Sequence, residues 1–78
     1  MTKRVIITDS DIFNIIQLAK RYSSNNIITK AMLMKAFYQY YNTGRKPKVE
    51  TFLRKIRYYA SSKIYIEYVK GGVYKVIV

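Results

Sequence analysis

Apolar side chains recur at Ile12, Ile15, Ile16 and Ala19, with Tyr22 extending the stripe, and this helical rhythm predicts a first helix over residues 9–22. Thr8, Asp9 and Ser10 all suit its N-cap, and Asp11 adds negative charge near the positive end of the helix. A polar break at Ser23, Ser24, Asn25 and Asn26 follows, then the β-prone pair Ile27 and Ile28, long enough for a stub strand. Leu33, Ala36, Phe37 and Tyr40 make a second stripe, with Lys30, Lys35 and Gln39 polar, and Thr29 as N-cap candidate; the second helix is expected over residues 30–41. Asn42, Thr43 and Gly44 supply its stop, because Asn and Gly accept the left-handed conformation that ends helices.

Arg45 and Lys46 are expected in an exposed loop, and Pro47 is read as the first turn of a third helix, where its missing N–H costs nothing. That helix, residues 48–61, has a core stripe of Val49, Phe52, Leu53, Ile56 and Ala60, and an opposite face of Thr51, Arg54, Lys55 and Tyr58. From Lys63 the period changes to two: Ile64, Ile66 and Tyr68 alternate with Tyr65, Glu67 and Val69, and residues 73–78 are rich in β-branched side chains. Gly71 and Gly72 between the two runs permit the positive φ angles of a tight turn, so residues 63–78 read as a β-hairpin. Both alternating sets hold apolar residues, and the pattern leaves open which face is buried. The fold class is thus α+β: three helices, a C-terminal hairpin and a short extra strand near Ile27 and Ile28. At 78 residues, without internal repeat, linker or sustained heptad, this makes one domain over residues 1–78 with a modest core.

Charge sharpens this picture. Fifteen Lys and Arg against four Asp and Glu give +11, and a surface so positive calls for a polyanionic partner. Half of the residues are hydrophobic, which argues for a folded module over a disordered basic tail. Cysteine and histidine are absent, excluding zinc fingers, thiol nucleophiles, disulfide frameworks and histidine acid/base chemistry. The only acids are Asp9, Asp11, Glu50 and Glu67, from which no nucleophile, base and orienting group can be assembled; the expectation is a non-enzyme with no cofactor, metal or small-molecule substrate. The longest apolar runs fall far short of the ~20 residues of a membrane span, and Lys3 and Arg4 precede too short a run for a secretory signal. A cytoplasmic protein without membrane contact is expected.

The order helix, stub strand, helix, turn, helix, hairpin resembles the winged-helix family of DNA-binding domains over nearly the whole chain. The connection over residues 42–46 is longer than the tight turn of a strict helix-turn-helix. The small size and the abundance of Ile, Lys, Tyr and Asn, all read from AT-rich codons, are similar to the small winged-helix regulators encoded by viruses and plasmids of thermophilic archaea. These resemblances imply a transcriptional regulator that binds double-stranded DNA in the host cytoplasm, with the third helix in the major groove and the hairpin as wing.

Six cations, Arg45, Lys46, Lys48, Arg54, Lys55 and Arg57, crowd the third helix and its approach. Arg54 is shaped to read guanine O6 and N7, Thr51 to meet a thymine methyl or a phosphate, and Tyr58 to reach backbone. With no strong cap in sight, the free N–H groups at the helix start invite a phosphate, with capping by Thr43 or water as the alternative. Lys70 at the hairpin tip and Lys30 near the start of the second helix are further phosphate contacts, although lysine at a hairpin tip also serves solubility. Two other readings stay open: tyrosines stacking on single-stranded nucleic acid, and a protein-interaction module. For the latter, Val5, Ile6 and Ile7 would be the adhesive patch, for a homodimer or another partner, unless they fold back onto the domain's own core.

Overall fold

A computed structural model describes residues 6–44 and 46–78. Three helices, α1 (Asp9–Lys20), α2 (Lys30–Tyr40) and α3 (Val49–Ser61), combine with three strands, β1 (Ile27–Thr29), β2 (Ile66–Lys70) and β3 (Val73–Val76). The strands form one antiparallel sheet of order β1-β3-β2, so the fold is α+β. The stub strand docks on the hairpin, with Ile27 opposite Lys75, Ile28 opposite Tyr74 and Thr29 opposite Val73.

The stripes read from the sequence make the core. Ile12, Ile15, Ile16 and Ala19 of α1 meet Leu33, Ala36 and Phe37 of α2, and Phe52, Ile56 and Ala60 of α3. Ile28, Ile66, Tyr74 and Val76 close it from the sheet, which settles the hairpin's buried face. Ile7 is buried in this core while Ile6 is 75 % exposed, so the N-terminal apolar run is divided; its third member, Val5, lies outside the described residues.

Local chemistry sets the helix ends. Thr8 and Asp11 form a reciprocal capping box on α1, each side chain accepting the other's backbone N–H. Helix α1 stops at Lys20, earlier than the stripe suggests: Tyr22 is exposed and instead donates its hydroxyl to Gln39 on α2, its ring 4.7 Å from the Lys35 ammonium. Pro47 does not open α3. Lys48 is the N-cap, in extended conformation, its carbonyl accepting from the Thr51 and Phe52 N–H groups, and Pro47 precedes it with its ring buried. Proline here gains apolar contact, and the helix begins one residue after the cap.

The hairpin turn also differs from expectation. Only Gly72 takes a positive φ, of 69°, and the register slips between Tyr68 and Lys70, leaving Val69 as an extra residue. Glycine is favoured at position 72, and the bulge supplies twist that a turn with two positive φ angles would otherwise give.

Two carboxylates bind distant elements together. Asp9 accepts the hydroxyls of Tyr59 (2.7 Å) and Tyr65 (2.6 Å), joining α1 to the end of α3 and to the lead-in of β2. Asp11 accepts the Tyr40 hydroxyl at 2.7 Å, joining α1 to α2. Tyr65 holds φ at +66°, a conformation costly for an aromatic residue, and is fixed there by Asp9, by Phe13 with ring centroids 5.1 Å apart, and by the Ile77 N–H donating to its carbonyl. The hydroxyls of Tyr65 and Tyr59 hold the Asp9 carboxyl below its ordinary value. Such a lowered carboxyl stabilises the fold above the usual carboxylate range, and the contribution fades as pH falls through the lowered value. Partial burial pushes Asp11 upward, but the Thr8 N–H and the Tyr40 hydroxyl outweigh it and the net shift is also down.

Beside this network the Tyr41 hydroxyl is buried without a hydrogen-bond partner, and burial, then the nearby Asp11, push it up to about 12. Tyr41→Phe removes that unmet polar group and keeps the ring that packs 5.2 Å from Phe37. It is expected to stabilise the domain by about 1 kcal/mol, read as a higher midpoint in urea unfolding; a lower midpoint would mean that the hydroxyl is satisfied in solution.

Candidate nucleic-acid interface

Helix α3 is anchored by Phe52, Ile56 and Ala60, all buried, and this fixes what its far side offers. Thr51, Arg54 and Tyr58 are exposed there, Tyr58 at 63 %, and at 100° per residue they fall within one narrow sector. Lys55 borders that sector, about 40° beyond Thr51 on the side that also carries Phe52 and Tyr59, and is half covered. A lysine stem readily lies along apolar surface with its charge kept in water, so Lys55 is an edge cation rather than a central one. Arg57, on the other flank, is exposed.

The approach to α3 is also cationic. Lys46 and Lys48 are exposed, and the Lys46 ammonium stands 5.3 Å from the centre of the Tyr38 ring, which restrains an otherwise free side chain. Arg45 lies outside the described residues. Among the described residues no side chain caps α3, Thr43 included, so its first N–H groups are open to solvent or to an anion.

The sheet brings a second set of groups alongside. The Lys30 N–H donates to the Gly72 carbonyl at 2.8 Å, which fastens the start of α2 beneath the hairpin turn and sets Lys30 beside Lys70's end of the hairpin. Lys30 and Lys70 are both exposed. Between α3 and the hairpin runs a groove of about 760 Å³, where Lys30, Arg54 and Arg57 meet Leu53, Tyr68 and the two turn glycines.

Little opposes these charges. Lys63, 3.9 Å from Glu67, is the only cation with an acidic partner within 4.0 Å among the described residues. Asp9 and Asp11 are engaged by tyrosine hydroxyls, and Glu50 is the one carboxylate lining the groove beside α3. With six cations over α3 and the turn and none of them ion-paired among the described residues, the field there is positive.

Sequence reasoning left Arg57 and Tyr68 out of the candidate site. Arg57 is one turn from Arg54 on the chain and could have been found by its helical position. Tyr68 could not, because its place depends on the strand register that sets it opposite Tyr74. Of the nine tyrosines, Tyr74 is buried, the Tyr41 hydroxyl is buried, and Tyr40, Tyr59 and Tyr65 are held by aspartates, which leaves Tyr22, Tyr38, Tyr58 and Tyr68 as the exposed ones.

No described helix is long and apolar enough to cross a membrane, and no cluster of metal-ligating side chains occurs among the described residues. Set against protein-family models, curated proteins and solved structures, the chain finds no match in any of the three.

Proposed function

We propose that the chain is a winged-helix domain that binds double-stranded DNA sequence-specifically and acts as a transcriptional regulator. The observation that carries this reading is the exposed, unpaired cationic face of α3 set beside the turn of the β2–β3 hairpin. The strand order supports it, since a stub strand before α2 that pairs with the second hairpin strand holds the hairpin against the helix as a wing. Thr51, Arg54 and Tyr58 enter the major groove on this reading, and an arginine there reads guanine bidentately. Lys30, Lys46, Lys48, Arg57 and Lys70 hold the phosphates on either side, with the open N-terminus of α3 as an additional donor set.

Base readers and phosphate binders differ in how their loss is felt. Arg54→Ala is expected to cost about 1–3 kcal/mol on the preferred duplex and little on others, flattening the preference. Lys46→Ala is expected to weaken every duplex by a similar, smaller factor. Competition binding on a panel of duplexes, with the preferred site first located by selection from a random pool, measures both. Equal losses from the two changes on every duplex would sink the base-reading role of α3.

A further inference from the structure

The groove between α3 and the hairpin has two chemistries in one space. Its apolar part comes from Leu53, Ala60 and Tyr74, and its cations are Lys30, Arg54 and Arg57, against Glu50 as the one carboxylate. None of these cations has an acid within 4.0 Å among the described residues. Tyr68 and Tyr74 stand opposite each other on the same face of the sheet, ring centroids 6.0 Å apart and edge to face. Tyr74 is 7 % exposed and supports the pair from below, whereas Tyr68 is 56 % exposed at the wall of the groove. An aromatic ring braced from one side and open on the other is a stacking platform, and the two arginines that line the same groove are a seat for a phosphate.

We propose that this groove binds a single nucleotide unit, its base stacked on Tyr68 and its phosphate held by Arg54 and Arg57. The groove volume falls within the roughly 300–1,000 Å³ of small-ligand sites. A bare anion would leave the apolar part unused, and an apolar ring alone would leave the cations uncompensated; a nucleotide satisfies both. The unit comes either from a free nucleotide or from an unpaired residue of a nucleic-acid strand. Arg54 belongs both to this groove and to the outward face of α3, so a free nucleotide would compete with duplex DNA; that competition, unlike the binding itself, rests on the duplex-binding reading.

Calorimetric titration of the whole chain with thymidine monophosphate, thymidine and inorganic phosphate tests the site, and a four-residue oligothymidylate and a blunt duplex separate the sources. Thymidine monophosphate is expected to bind at least tenfold more tightly than either thymidine or phosphate. Tyr68→Leu should weaken it about tenfold and Tyr68→Phe, which keeps the ring, should restore it, with both variants folded as judged by circular dichroism. Tighter binding of the oligonucleotide with the same dependence on Tyr68 assigns the site to an unpaired strand residue, and displacement of duplex by the monophosphate assigns it to the free nucleotide. Equal affinity for phosphate and monophosphate, or indifference to Tyr68→Leu, overturns the proposal. Nucleotide binding without duplex binding would remove the α3 reading and leave this one standing, and duplex binding without nucleotide binding would do the reverse.

Discussion

Phe52→Ala is expected to leave the domain largely unfolded at 37 °C. Phe52 is fully buried, its ring centroid 4.8 Å from that of Phe37, also fully buried, and this tilted pair joins α3 to α2 across the core. Truncating a buried phenylalanine costs about 3–5 kcal/mol, because the lost transfer energy is joined by the cavity left behind. At about 0.05–0.15 kcal/mol per residue, a 78-residue chain has only about 4–12 kcal/mol in total, so this one change removes about a quarter of the margin at best and all of it at worst. The aspartate–tyrosine bridges cannot compensate, since Asp9 and its tyrosines hold the other end of α3 and are exposed to water. Thermal melting by circular dichroism reads the effect, with a fall in midpoint of 15 °C or more expected on the ~4–8 °C per kcal/mol typical of domains this small. A wild-type melting curve would show that the two rings do not carry the packing of α3.

The helices and their core stripes were legible because helical burial repeats every three to four residues and leaves its mark in any one segment. Ile12, Ile15, Ile16, Leu33, Ala36, Phe37, Phe52 and Ile56 are apolar at that spacing and all are buried. What could not be read was decided elsewhere in the chain. Tyr65 reads as an ordinary strand residue, yet Asp9, 56 residues earlier, draws its hydroxyl and holds it at a positive φ, which delays the start of β2 to Ile66. The same holds for the hairpin's two faces: alternation offered both, and Ile28 on the stub strand, pairing with Tyr74, settled the matter. At Pro47 the general preference of proline for a first helical turn gave way to a local gain, the burial of its ring before the cap.

For the candidate site, identity was easier to read than neighbourhood. Arg54, Thr51 and Tyr58 were placed on one face by counting along α3, and the structure keeps them there. Lys55 was placed on the same face, and by angle it borders it, about 40° from Thr51; what counting could not show is that its side chain is half covered. The groove was beyond reach, because Lys30, Arg57, Tyr68 and Gly72 come from four separate elements or turns and converge only when the sheet is assembled.

Affinity for duplex DNA is expected to fall about a thousandfold between 50 and 200 mM monovalent salt. Six described cations, Lys30, Lys46, Lys48, Arg54, Arg57 and Lys70, are exposed on or next to α3 and the hairpin turn, and none has an acid within 4.0 Å among the described residues. If each neutralises one phosphate, log K falls with log salt at a slope near −5, since each contact releases about 0.9 of a condensed counterion. The arrangement of the acids makes this number possible. Asp9 and Asp11 sit on α1 and bond tyrosine hydroxyls rather than any of these cations, and the Lys63–Glu67 pair engages a cation outside these six. Replacing Lys70 should lessen the slope by about one if the wing touches the duplex and leave it unchanged if it does not. Fluorescence anisotropy on a labelled duplex across the salt range measures both quantities. A wild-type slope shallower than about −2 would mean that the cations of α3 and the turn do not engage the phosphate backbone together, and the duplex-binding reading would fall with it.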